Sequence, residues 1–196
     1  MSFRKEIKLI LNPRNSFDFK KMILKKGAKI IYPKRKVSSL YLDNSARQCH
    51  KDSLEGSLPR KKIRIRSYPD GEKKEYLFEK KISSPEGRFK SSKRVTSNFC
   101  NRIIRNGYFD KIYGLLLPLI YVDYSREYYK LDNFRITIDQ DIHYSVFNKS
   151  KVRKDTKSVV ELKFSKNNDE DSIINSFPNK LTRFSKYSNG IELLKL

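Results

Sequence analysis

The sequence predicts an α+β fold: an antiparallel, eight-stranded β-barrel forming a tunnel, with short helices packed outside it. Three observations carry that expectation. Five short segments place polar, mostly charged residues at every second position: Arg4, Glu6 and Lys8; Arg64 and Arg66; Glu79 and Lys81; Arg135, Thr137 and Asp139; Glu161 and Lys163. The residues between them are mostly apolar (Ile7, Ile63, Ile65, Phe78, Ile136, Ile138, Val160, Leu162, Phe164), and a period of two puts the two classes on opposite faces of a strand. The polar positions mix acids with bases and are rich in Arg, so a closed sheet with an ionic interior and a greasy exterior accounts for the set. That reverses the usual small barrel, whose interior holds apolar side chains. An antiparallel sheet with one face in water shows the same alternation and is the ordinary reading for any single strand.

The elements follow in order. Phe3–Leu11 reads as the first strand. Asn15 or Ser16 is placed to cap a helix with Phe19, Met22 and Ile23 on its apolar face, ending at Gly27. Val37–Asp43 is a second strand with Leu40 and Leu42 on one side, and a short polar helix spans Ser45–Glu55 up to Gly56. Arg60–Ser67 and Lys74–Ile82 flank Tyr68-Pro69-Asp70-Gly71, a turn sequence that predicts a hairpin. Arg88–Val95 adds a strand after Pro85-Glu86-Gly87. Thr96 or Ser97 caps a helix that buries Phe99, Ile103 and Ile104 and stops at Gly107. Leu119–Lys130 and Phe134–Ile142 form a second hairpin around Asp132-Asn133, Lys157–Phe164 is the last long strand, and Asn167–Ser176 is a short helix or a loop. Ser185 precedes Tyr187, Ile191 and Leu194, which are spaced for one helical face; Gly190 weakens that helix by ~1 kcal/mol. No linker, repeat or low-complexity block interrupts the chain, so residues 1–196 are expected to form a single domain.

Lys and Arg number 44 against 22 Asp and Glu, a net charge of +22, which points to an anionic partner: nucleic acid, anionic lipid or a phosphate compound. Twelve Tyr and twelve Phe argue against a disordered basic tail. Cys49 and Cys100 lack disulfide or zinc spacing, and two isolated thiols suit a reducing cytosol. His50 and His143 form no metal-ligand pair and read as structural or surface residues. The charged N-terminus has no signal-peptide core, and the longest apolar stretch, Tyr113–Val122, is broken by Pro118 and falls short of the ~20 residues of a bilayer span. No integral membrane segment and a cytoplasmic location are expected; the oligomeric state is left open.

R-x-E-x-K at Arg4–Lys8, S-S-L-Y-L-D-N at Ser38–Asn44, R-K-K-I-R-I-R at Arg60–Arg66, E-K-K at Glu79–Lys81 and Y-S-R-E-Y-Y at Tyr124–Tyr129 occur in that order. R-I-T-I-D at Arg135–Asp139, V-V-E-L-K-F at Val159–Phe164 and R-F-S-K-Y at Arg183–Tyr187 complete the series. Each motif alone is weak. Together, over nearly the whole chain, they resemble the VTC domain, the catalytic module of polyphosphate polymerases, in the CYTH-like superfamily of triphosphate tunnel metalloenzymes. The resemblance implies a tunnel that binds ATP phosphates and a growing polyphosphate with Mn²⁺ or Mg²⁺. Carried over by motif, Lys8, Arg64, Arg66, Arg126 and Lys163 would act on the phosphoryl group. Lys81 and Lys186 would bind phosphate, and Arg4, Lys62, Arg94, Arg135 and Tyr129 join that expected set. Glu161 would be a metal ligand, with Glu6 and Glu79 as further candidates. The wider superfamily often shows E-x-E-x-K on its first strand; here Arg4 takes the first place and leaves Glu6 alone.

Such chemistry needs these residue types. Phosphoryl transfer spreads charge over equatorial oxygens, and positioned cations stabilise it. Carboxylates belong in the same site if they hold a divalent ion or keep neighbouring cations ordered. A phosphate end group attacks as an anion and needs no general base, whereas water would need one, such as Glu6 or Glu79. Tyr124, Tyr128 and Tyr129 could meet a nucleotide base, although strand packing is the commoner role. Lys34, Arg35 and Lys36 could steer an anion, although such runs are usually solvated loops. Three functions stay open at this point: ATP-dependent polyphosphate polymerase, tunnel triphosphatase, and a non-catalytic polyanion-binding module. No motif for a specific nucleic acid is present.

Overall fold

A computed structural model describes residues 4–71, 74–165 and 184–196, with the backbone alone for Arg4, Lys5 and Ser165. It is an α+β fold. The strands are β1 (Arg4–Leu11), β2 (Lys29–Asp43), β3 (Arg60–Ser67), β4 (Tyr76–Ser84), β5 (Gly87–Val95), β6 (Tyr108–Asp110), β7 (Gly114–Leu131), β8 (Phe134–Val146), β9 (Val152–Lys154) and β10 (Ser158–Ser165). The helices are α1 (Pro13–Lys25), α2 (Gln48–Glu55), α3 (Ser97–Asn106) and α4 (Lys186–Leu193). Eight strands follow one hydrogen-bonded path, β1-β10-β8-β7-β2-β3-β4-β5, with β6 added to β7 and β9 to β8. The antiparallel eight-strand expectation holds, with these two short strands added.

Boundaries differ where a local signal was outweighed. α1 starts earlier than expected, because Asn12 accepts from Asn15 N and Pro13 supplies a preset φ at the first turn. β2 begins at Lys29 rather than Val37, since Lys29–Lys36 is mostly exposed and gives no alternation to read. Thr96 caps α3 and Ser185 caps α4, as expected. The Asn167–Ser176 expectation lies outside the described residues.

The chain falls into two compact units, residues 1–35, 124–142 and 155–184, and residues 36–123, 143–154 and 185–196. In the first, β1 pairs with β10 (Glu6 opposite Lys163, Lys8 opposite Glu161), and β10 pairs with β8 (Glu161 opposite Thr137). Directly paired residues share a face, so every charge named here lies on one side. The other side supplies Ile7, Leu9, Ile136, Ile138, Val160, Leu162 and Phe164, and α1 covers it with Phe19 and Ile23. In the second unit β3 pairs with β2 (Arg64 opposite Tyr41, Arg66 opposite Ser39) and with β4 (Arg64 opposite Glu79, Lys62 opposite Lys81). Ile63, Ile65 and Phe78 are buried behind these residues, with Phe99 of α3 edge-on to Phe78 at 5.5 Å. In each unit a helix therefore covers apolar strand residues opposite the ionic ones.

Candidate functional site

In the first unit β1, β8 and β10 set Glu6, Lys8, Glu161, Lys163, Thr137 and Asp139 side by side. Lys8 Nζ lies 3.3 Å from Glu6 and 4.0 Å from Glu161, and donates to Phe184 O at 3.0 Å. Lys163 Nζ lies 3.8 Å from Glu6 and 3.5 Å from Glu161. The two carboxylates thus share the same two ammonium groups. Arg126 on β7 meets Asp139 with both arms, Nε at 2.5 Å and a terminal nitrogen at 2.7 Å, and lies 3.8 Å from Glu161. Asp139 is fully buried. Burial works against the Arg126 charge, but the Asp139 and Glu161 carboxylates and the Tyr124 ring beside it outweigh that, raising its pKa further. The guanidinium is fixed in place and always charged. The Thr137 hydroxyl is buried beside these groups without a hydrogen-bond partner among the described residues.

In the second unit Glu79, only 3 % exposed, is the hub. Its Oε2 accepts from Arg64 Nε and a terminal Arg64 nitrogen at 2.7 Å each and lies 3.5 Å from Arg66 Nε; its Oε1 meets Lys90 Nζ at 2.6 Å and Ser92 Oγ at 3.3 Å. Burial would raise its pKa, but Arg64, Arg66 and Lys90 hold it down at about 2. Arg64 also donates to the Tyr41 hydroxyl at 2.6 Å. Burial opposes ionisation of that phenol, yet Arg64 and Arg66 bring its pKa below the usual tyrosine value. Tyr41 stacks on Tyr187 of α4 at 4.9 Å, and Lys62 donates to Ser185, the α4 cap, at 2.7 Å. The Tyr187 hydroxyl bonds to Asp43, which also accepts from Cys49 N and His50 N at the start of α2. The N-terminal end of α4 is therefore held on the ionic side of β2 and β3.

The expected residues fall into groups. Glu6, Lys8, Arg126, Glu161 and Lys163 meet in one cluster, and Arg64, Arg66, Glu79 and Lys62 lie together on adjacent strands of the other unit. Lys81 shares their strand face and is exposed; Lys186 opens α4 and acts electrostatically on Tyr41. Arg94 is exposed on β5 and paired with Glu75 at 3.2 Å, and Arg135 is exposed with its guanidinium 5.8 Å from the Tyr32 ring. Tyr129 sits in the apolar core of the first unit, its hydroxyl donating to Glu127 at 2.7 Å and its pKa raised by burial to about 12. The packing role suits it better than a phosphate contact. The Arg4 side chain lies outside the described residues.

Among the described residues no three His, Cys, Asp or Glu side chains form a metal-binding group. Glu6 and Glu161 still fit a divalent ion. Mg²⁺-type sites commonly use one or two carboxylates with substrate phosphate oxygens, and Lys8 and Lys163 hold the pair together as cations. Glu79 does not fit: its oxygens are filled by nitrogen donors. Asp139, Lys90 and Tyr41 were not among the expected site residues. The strand alternation carried a signal for the first and, through Leu40 and Leu42, for Tyr41. Lys90 had none, since β5 is almost wholly exposed and shows no alternation.

The fold has solved counterparts. A candidate adenylate cyclase from Vibrio parahaemolyticus aligns over 97% of this chain and 98% of its own, with a TM-score of 0.59 and 13% identity. A second, from Bacillus halodurans, aligns over 93% and 95% (TM-score 0.57, 14% identity), and a Pyrococcus horikoshii protein over 96% and 99% (TM-score 0.57, 14% identity). At such identities the likeness shows a shared fold. No curated protein sequence matches. The VTC domain family model matches residues 3–195, and with the ordered motifs and ionic strand faces in view, the chain belongs to the VTC domain family.

Proposed function

We propose that this protein is a polyphosphate polymerase, transferring the γ-phosphoryl group of ATP to the end of a polyphosphate chain. One observation carries the reading most: the cations on the ionic strand faces are held in fixed geometry by buried carboxylates, Arg126 by Asp139 and Arg64 with Arg66 by Glu79. Pre-positioned charge is what phosphoryl transfer asks of a protein, since donors that need no reorganisation stabilise charge most effectively. Membership of the VTC domain family supports the reading.

Lys8, Lys163 and Arg126 would bind phosphate oxygens in the first unit, and Arg64, Arg66, Lys62 and Lys81 in the second. Glu6 and Glu161 would hold Mn²⁺ or Mg²⁺, which when bound neutralises and orients phosphate oxygens. A terminal phosphate attacks as an anion and needs no base. Glu79, with a pKa of about 2 and its oxygens occupied, is poorly suited to deprotonate water. With Glu6 assigned to the divalent ion, that favours transfer to phosphate over hydrolysis.

Incubation of the protein with ATP and Mn²⁺ should give ADP and a ladder of long polyphosphate. Free phosphate in step with ADP and no polymer would replace the polymerase with a triphosphatase. Polyphosphate binding that survives high salt, without ATP turnover, would leave a binding module.

A further inference from the structure

The hairpin of β6 and β7 carries an apolar strip that nothing in its own unit covers. Phe109 pairs with Leu115, and Leu117 lies two residues further on the same face. Phe109 is 70% exposed, Leu115 51%, Leu117 45%, and Ile112 in the turn 54%. The opposite face is conventional: Leu116 is fully buried and Asp110 nearly so. The strip is rigidly presented. Asp110 accepts from Ile112 N at 2.9 Å and takes Lys61 Nζ at 2.9 Å on each oxygen, and the Tyr113 hydroxyl donates to Asp52 at 2.7 Å. Leu115 and Leu117 also lean on Gly107, where an added Cβ would lie 2.8 and 2.9 Å from their methyl carbons. These leucines therefore cannot simply fold inward.

Charge indicates what would cover the strip. Between residues 97 and 122 the basic residues are Arg102, Arg105 and Lys111, all exposed, and the lone acid, Asp110, is buried against Lys61. A second copy would bring the same uncompensated cations and a net charge of +22 to the contact. An anionic lipid surface is complementary in both respects. Phe, Leu and Ile reach the acyl boundary while Lys and Arg meet the headgroups, the arrangement of interfacial membrane anchors. We propose that the Tyr108–Leu117 hairpin is a peripheral docking element for anionic membranes. None of the strip's residues belongs to the ionic clusters described above, and the inference is independent of the reaction proposed for them.

The test is co-sedimentation of the full chain with vesicles of phosphatidylcholine alone or mixed with phosphatidylglycerol. The expected result is binding to the anionic vesicles, reduced about tenfold by Phe109→Ser with Leu117→Ser and reduced also by Ile112→Ser alone, as lost apolar insertion requires. Arg105→Glu with Lys111→Glu should reduce the preference for anionic over neutral vesicles. Circular dichroism and ATP turnover should be unchanged in the serine variants. Anionic-vesicle binding that is equal in wild type and both serine variants would overturn the proposal, because charge alone would then suffice. So would a concentration-dependent dimer of the wild type that the serine variants abolish, which would assign the strip to a second copy.

Discussion

A single carboxylate orders the cations of the second unit. Glu79 is buried, yet ionised, because Arg64, Arg66 and Lys90 surround it more closely than solvent could. It holds Arg64 and Arg66 in place, and under the proposed function a phosphate oxygen would compete with it for the same donors. Glu79→Gln should weaken triphosphate binding measured by calorimetry, while the Mn²⁺ concentration for half-maximal activity stays unchanged. A shifted Mn²⁺ requirement would return Glu79 to the metal ligands. Glu161→Gln should behave oppositely, losing metal-dependent activity with the fold intact by circular dichroism. Arg66→Ala should weaken triphosphate affinity by ~1.5–3 kcal/mol, the range of a charged hydrogen bond, and an unaltered Kd would take Arg66 out of the site. The pKa of Glu79 also fixes the sign of a pH effect. Its folded value, about 2, lies below its usual value of 4.5, so its stabilisation is complete above pH 4.5 and is lost as pH falls from there toward 2. Denaturant midpoints taken across that range should fall in the native protein and fall less in Glu79→Gln.

At the scale of elements, α4 shows how packing reverses a propensity argument. Gly190 lowers intrinsic helix stability by ~1 kcal/mol, so Gly190→Ala would stabilise an isolated helix. In the folded protein an added Cβ would lie 2.6 Å from a Tyr144 ring carbon and 3.0 Å from an Ile120 methyl. Neither side chain has room to yield, as Tyr144 and Ile120 are fully buried. Gly190→Ala should therefore destabilise by about 1–3 kcal/mol in urea titration, the usual cost of overpacking. A gain in stability would mean that α4 is loosely seated. The same helix holds Tyr187 on Tyr41 and Ser185 on Lys62, so the Ala variant should also raise KM for the phosphate substrate through those neighbours.

At the scale of the whole molecule, a net charge of +22 should steer polyanions to the protein, and the effect is screened within a Debye length of ~8 Å at physiological salt. The association rate for polyphosphate, read by stopped flow, should fall steeply with ionic strength, and a flat profile would show that the global charge takes no part in capture. Charge alternation was legible because a period of two is a local property: Glu6, Lys8, Glu161 and Lys163 could be assigned to one face of their strands from neighbouring residues alone. So could the Thr96 and Ser185 caps, whose hydrogen bonds span three residues. The start of β2 was not legible, because Lys29–Lys36 is mostly exposed and carries no pattern imposed by burial. Nor was the difference between Glu161 and Glu79, two glutamates in similar alternating strands. By itself the sequence determined which side of β1, β3, β4, β8 and β10 is ionic and which family the chain belongs to. Only the tertiary structure decided that Glu79 is filled by Arg64, Arg66 and Lys90 while Glu6 and Glu161 stay paired through shared lysines. The reason is physical: alternation depends on adjacent residues, whereas the partners of a charge depend on strands brought together from distant parts of the chain.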